Sequence, residues 1–200
     1  MARASIYLGL VHHPVINRQG ERICSAITNL DIHDIARTCT TYGTKGFFVI
    51  TPSPDQKTLA KRVIDHWLKG AGGRYNPDRK KAFEQIHLVD SIDDAIEAIG
   101  RPRRQLGVLA TSARKMKGCI SWERLEKMVY KPEFECILLL FGTASGLHEQ
   151  CFEQCDGVVC PIYGPTSYNH LSVRAAVAIA LDRILGIRRH ENGYNTSSGL

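Results

Sequence analysis

Two hydrophobic periods take turns along this chain, and their regular exchange leaves few folds open to it. Residues 5–11 form a short apolar run stopped at His12-His13-Pro14, where proline bars continuation of a strand. Residues 29–42 then place Leu30, Ile32, Ile35, Ala36 and Cys39 at helical spacing, with Thr28 or Asn29 as N-cap and Gly43 as C-terminal stop. The same exchange continues with strands expected at 47–50, 85–89, 105–110, 136–141 and 157–160. Helices are expected at 55–69, 91–99, 121–129, 146–154 and 171–185. Apolar strands without clean two-residue alternation, each followed by a helix, predict an α/β fold: a mostly parallel six-stranded sheet with helices on both faces.

Length and composition agree with one domain. Two hundred residues bury a sufficient core, and 17 Gly with 8 Pro is far from a low-complexity composition. A single domain is expected over 1–188, with a flexible tail over 189–200 rich in Asn, Gly, Thr and Ser. The longest uncharged apolar stretch, 175–181, is too short for a membrane span, and the N-terminus lacks a signal-peptide core. Seven cysteines, an odd number in a chain of this size, argue against a disulfide framework and for a reducing cytoplasm. Cys151, Cys155 and Cys160 lack paired two-residue spacing and run from a helix onto a strand, so no metal is assigned to them.

The net charge of +6 is unevenly spread. Residues 57–81 hold eight basic and two acidic side chains, and 101–117 hold six basic and none acidic. Such segregation suits a polyanion, with lysine and arginine positioning a nucleic-acid backbone and Tyr75 or Trp122 able to stack on exposed bases.

In an open α/β sheet, ligands bind beyond the carboxyl ends of the strands, so the loops there matter most. Gly142 to Leu147 is a glycine turn expected to enter a helix N-terminus, with small hydroxyl side chains between its glycines. It is neither a phosphate loop nor a dinucleotide fingerprint. Residues 162–170 form a polar, aromatic loop feeding an alanine-rich final helix, and residues 110–114 and 29–37 complete a possible pocket.

Phe141-Gly142-Thr143, with Gly146-Leu147, then Pro161-Ile162, then Tyr168-Asn169-His170-Leu171-Ser172-Val173-Arg174, resembles the last two motifs of the SPOUT superfamily of S-adenosylmethionine-dependent RNA methyltransferases. The segments 7–15 and 26–37 are similar to one bacterial branch of it, and the resemblance spans 5–187. It implies a deep C-terminal trefoil knot and a homodimer formed through the knot region. It also implies S-adenosylmethionine held by Thr111, Ser112, Leu140, Gly142, Thr143, Gly146, Ile162, Gly164, Asn169, Leu171, Ser172 and Ala176.

The resemblance further implies that Arg37 helps bind and activate the substrate, since it matches the arginine of the ribose-methylating pattern, whereas Asp31 and His33 replace that pattern's asparagine and glycine. His33, four residues before Arg37, and Asp34 complete a candidate catalytic cluster of base, carboxylate and cation. The expected function is methyl transfer to a ribose hydroxyl or a base nitrogen of tRNA or rRNA. The alternatives are a non-catalytic RNA-binding protein that keeps the knot, and an α/β enzyme using another adenine nucleotide.

Overall fold

The computed structural model describes residues 3–187. The end of the expected domain at 188 and the tail over 189–200 lie outside the described residues. The chain begins with β1 (Ser5–Val11), then a short antiparallel hairpin of β2 (Val15–Ile16) and β3 (Arg22–Ile23), followed by α1 (Asn29–Tyr42), β4 (Gly46–Ile50) and α2 (Pro54–Leu68). Two short helices, α3 (Ala71–Tyr75) and α4 (Pro77–Phe83), lead to β5 (Ile86–Val89), α5 (Ile92–Ile99) and β6 (Leu106–Thr111). The remainder is α6 (Trp122–Tyr130), β7 (Cys136–Gly142), α7 (Glu149–Glu153), β8 (Gly157–Val159) and α8 (Val173–Leu185).

Six strands form one sheet in the order β5-β4-β1-β7-β6-β8, and every neighbouring pair is parallel. Side-chain alternation sends Leu8, Leu10, Phe47, Val49, Ile137 and Leu139 into a core beneath α1, α2, α4, α6 and α8. Phe48, Ile50, Leu138 and Leu140 face a second core closed by α5, α7 and β2. Burial on both faces is why these strands read as continuous apolar runs. β1, β4 and β5 succeed each other toward one edge, after which β7 returns to pair with the other side of β1. The β1–β7 boundary is therefore the switch point, where an open parallel sheet leaves a crevice beyond its strand ends.

The caps expected for α1 are present, and α5 carries one of its own. The Thr28 side chain accepts from the Asp31 backbone N–H, and Gly43 takes the left-handed conformation (φ 67°) that ends α1. Ser91 and Asp94 form a reciprocal capping box on α5.

Three features differ from expectation. The helix expected from Gly146 shrinks to α7, because the segment before it is zipped onto the hairpin: Val15 bridges Leu147, and the Ser145 N–H donates to the Ile16 carbonyl at 2.9 Å. The glycine turn thus does not feed a helix N-terminus directly. α3 and α4 lie where Gly70, Gly72, Gly73 and Pro77 break helical periodicity; α3 exists through its packing on α2, and Asn76 caps α4 from Pro77 at N1. Cys119 and Cys160 form a disulfide, contrary to the expectation of none. Ile120 bridges Val159, which brings the neighbouring Cys119 and Cys160 within reach of each other, a contact across 41 residues that spacing alone does not reveal. The other five cysteines are free thiols.

Candidate cofactor and catalytic site

Three loops meet at the carboxyl edge of β6, β7 and β8. The Thr111 hydroxyl donates to the Leu140 carbonyl at 2.9 Å, tying the end of β6 to β7. The Asn169 amide donates to the Ala113 carbonyl at 2.8 Å, closing the 162–170 segment onto the loop after β6. The Cys119–Cys160 disulfide and the Trp122 indole, which donates to the Pro161 carbonyl at 3.4 Å, hold the same two segments from below. These bonds tie Thr111 to Leu140 and Asn169 to the loop after β6; Ser112 follows Thr111 in that loop, Ile162 follows Pro161, and Leu171 and Ser172 follow Asn169 into α8.

The glycines divide by what surrounds them. A Cβ on Gly142 would lie 2.5 Å from the Leu147 nitrogen and 2.8 Å from the Gly146 carbonyl carbon, so this glycine is demanded by the loop's own closure. Gly146 (φ +114°) has open space around its Cβ position, and so does Gly164. Ala144 takes a left-handed conformation (φ 52°) unusual for a side chain larger than glycine's hydrogen. Leu171 is exposed and Ile162 half-buried, giving apolar surface on the same segment as Gly164. Ser172 caps α8 without a side-chain bond to the helix, leaving its hydroxyl and the first-turn amides for a polar group. Apolar walls, an open glycine and unused donors fit an adenosyl group carrying a charged tail.

The Thr143 side chain is buried and committed elsewhere. Its hydroxyl lies 3.0 Å from the Val11 carbonyl and in a short contact with the Ser25 hydroxyl, which is 3.0 Å from His12 Nδ1. His12 is fully buried, and burial pushes its pKa down to about 4 against the opposing charge of Asp31, so the ring is neutral. This Thr143–Ser25–His12 chain locks the segment after the hairpin to the end of β7. In the sequence His12 marks only the end of an apolar run, and Ser25 carries no signal because 118 residues separate it from Thr143.

The expected catalytic cluster is divided around α1. His33 packs edge-on against Trp67 and Phe83, accepts from the Trp67 indole at 3.1 Å through Nε2, and has Arg79 at 3.4 Å from Nδ1. Burial, then Arg79, lowers its pKa. Asp34 and Arg37 instead face α8, lining a groove with Thr38, Thr41, Tyr42 and Ala178. Arg174, in the first turn of α8, reaches Asp31 at 3.4 Å and Asp34 at 3.5 Å. Arg174 is a site residue that the expected set lacks; its place in the motif points to α8 but not to its partners. Ala176 lies half-buried on the same helix. Among the described residues, no group of three or more His, Cys, Asp or Glu converges as a metal site would require.

An open parallel sheet with loops gathered at the carboxyl edge of β6, β7 and β8, next to the switch point, is the setting in which α/β proteins bind ligands. A family model for SAM-dependent RNA methyltransferases matches residues 5–186, and the chain belongs to that family. A tRNA (guanine-N(1)-)-methyltransferase of Oleidesulfovibrio alaskensis is 42% identical over 183 residues, which cover 91% of this chain and 42% of that protein. The chain therefore spans about two fifths of the length of that relative. An uncharacterized protein of Aquifex aeolicus is 32% identical over 190 residues, covering 94% of this chain and 92% of the relative. Among solved structures, a probable methyltransferase from Bordetella pertussis Tohama I superposes with a TM-score of 0.60 at 14% identity, covering 90% of this chain and 94% of that one, a likeness of fold.

Proposed function

We propose that this chain transfers a methyl group from S-adenosylmethionine to a tRNA in the cytoplasm, acting as a homodimer with a trefoil-knotted C-terminal region. The observation that carries the reading is the closure of the 162–170 segment onto the loop after β6 through Asn169 and Ala113, which assembles one binding edge from three loops. The tRNA substrate draws on the names of relatives more than twice as long as the matched region. The knot is supported by the same closure, because the segment entering α8 is held against the 111–120 loop at both Asn169 and Cys160. Dimerisation is supported by half-exposed Ala175, Ala178 and Ile179 on α8.

S-adenosylmethionine, when bound, supplies a methyl group on a sulfonium, already activated for in-line displacement. Thr111, Ser112, Ile162, Gly164, Leu171, Ser172 and Ala176 form the binding wall, with Leu140 buried beneath it; Gly142, Thr143, Gly146 and Asn169 keep the loops in place. Arg37 presents a cation to the RNA. Asp34, held by Arg174, is the carboxylate in the groove able to take a proton from the attacking oxygen or nitrogen. His33, with Nε2 accepting from the Trp67 indole and its ring packed on Phe83, fixes α1 against α2 and α4.

The test is titration calorimetry with S-adenosylhomocysteine, followed by transfer of labelled methyl groups to separated tRNA and rRNA. Gly164→Val is expected to weaken S-adenosylhomocysteine binding at unchanged thermal stability. Arg37→Ala is expected to abolish transfer while binding persists. A folded wild type that binds no S-adenosylhomocysteine sinks the proposal.

A further inference from the structure

We propose that α2, α3 and α4 form a docking platform for a single-stranded segment of RNA, with Tyr75 as the base-stacking residue. The inference rests on the RNA substrate proposed above and assigns that substrate a surface outside the methyl-transfer groove.

The platform is rigid by construction. A Cβ on Gly73 would lie 2.1 Å from the Trp67 carbonyl oxygen, and one on Gly72 would lie 2.6 Å from His66 Nε2. Two side-chain-free residues thus let α3 sit directly on the end of α2. Arg79 of α4 lies over the Trp67 ring at 5.0 Å, and Trp67 in turn holds His33 of α1. The Asn76 side chain caps α4 through the Arg79 N–H at 2.9 Å, fixing the turn between the two short helices.

From that mount Tyr75 projects with 91% of its surface exposed. A large aromatic ring so exposed, on a segment this well anchored, gains nothing from the fold. Exposed Lys61 and Arg62 of α2, Arg74 of α3 and Lys80 and Lys81 of α4 belong to the same three helices, and none has a carboxylate within 4.0 Å among the described residues. Lys57 and Lys69, by contrast, are neutralised by Asp90 and Asp65. Asp78 and Glu84 are the acidic groups of α4 and its C-cap, so positive charge dominates. Unpaired cations that track a phosphate backbone, with an aromatic face for a base, form the arrangement that binds unpaired nucleotides. A duplex conceals its base faces, so Tyr75 selects for a single strand.

The experiment is fluorescence anisotropy of the full chain with a labelled unstructured twelve-nucleotide RNA, over a range of salt concentrations. Tyr75→Ala is expected to weaken binding about tenfold and Tyr75→Phe to retain it. Replacing Arg62, Lys80 and Lys81 with Gln is expected to lower the salt slope by about 2. S-adenosylhomocysteine binding, measured on the same proteins, should stay at the wild-type value. If RNA affinity and salt slope are unmoved by these changes but fall with Arg114→Gln, Lys115→Gln and Lys117→Gln together, the platform is not the docking surface. Equal affinity for a duplex, indifferent to Tyr75, also overturns the proposal, as does a wild type that binds no RNA and captures only protein. Absence of S-adenosylhomocysteine binding would strike the methyltransferase reading alone, since the anisotropy needs no cofactor.

Discussion

His12 gives the most quantitative handle on this fold. It lies fully buried at the end of β1, with Nδ1 on the Ser25 hydroxyl and Nε2 making no hydrogen bond among the described residues. Burial lowers its pKa from 6.5 to about 4, with Asp31 and the Ala26 and Ser25 backbone pulling the other way. Above pH 6.5 the ring is neutral whether the chain is folded or unfolded, and its titration contributes nothing to the pH dependence of stability. Below 6.5 the unfolded chain takes up a proton that the native state refuses until about pH 4, so stability falls as pH falls through this window. Between pH 7 and pH 5 the loss comes to about 2 kcal/mol. Urea unfolding at the two pH values, for the wild type and His12→Asn, checks this: the variant should lose about 2 kcal/mol less over the interval. Other histidines with lowered values, such as His33 and His87, contribute to both proteins and cancel in the difference. Should His12→Asn not fold, an NMR titration of the wild-type imidazole replaces it. Equal losses in both proteins, or a ring that titrates near 6.5, would refute the account.

Gly142→Ala should destabilise the chain by about 2 kcal/mol, because its Cβ would press on loop backbone rather than on a mobile side chain. A melting temperature about 4–8 °C lower is the expected reading in a thermal scan. Breaking the Cys119–Cys160 bridge with Cys119→Ser releases a constraint spanning 41 residues, worth roughly 4 kcal/mol by chain entropy, and should lower the denaturant midpoint unless reductant is already present. Arg174→Gln removes the cation shared by Asp31 and Asp34; with the arginine side chain 38% exposed, a loss of about 1 kcal/mol is expected in urea unfolding.

The sheet was legible because burial on both faces leaves an unbroken apolar signature. Residues 136–141, read as a strand from their apolar run between two helical periods, occupy its centre as part of β7. α3 and α4 were illegible for the opposite reason: Gly72 and Gly73 weaken helical propensity, and packing on His66, Trp67 and Lys80 compensates. The hairpin of β2 and β3 has two residues per strand, too few to show alternation, yet it turns the glycine loop away from a helix. The three loops of the candidate site were each marked by composition, whereas their mutual contacts were not. Asn169 to Ala113, Ser25 to Thr143 and Arg174 to Asp31 join residues 56, 118 and 143 positions apart, and local periodicity carries no trace of such pairs.

The division of charge along α1 separates two roles that sequence spacing had merged. His33, Asp34 and Arg37 lie within one turn of helix, which suggested a single reacting cluster. Rotation of about 100° per residue instead sends His33 toward Trp67 and Asp34 toward α8. Arg174 then takes both carboxylates on this side, Asp31 and Asp34, and Arg37 is left with no carboxylate within 4.0 Å among the described residues. An arginine at the mouth of a groove, beside acids already neutralised by another arginine, has its full charge available to an anion brought from outside. Removing Arg174 should therefore hand Asp34 to Arg37 and weaken RNA binding at the groove by neutralising Arg37. Measured RNA affinities for Arg174→Gln, Arg37→Gln and the double variant decide the matter. The losses should be less than additive if the two arginines act through the shared carboxylate, and simple additivity would show that they act independently.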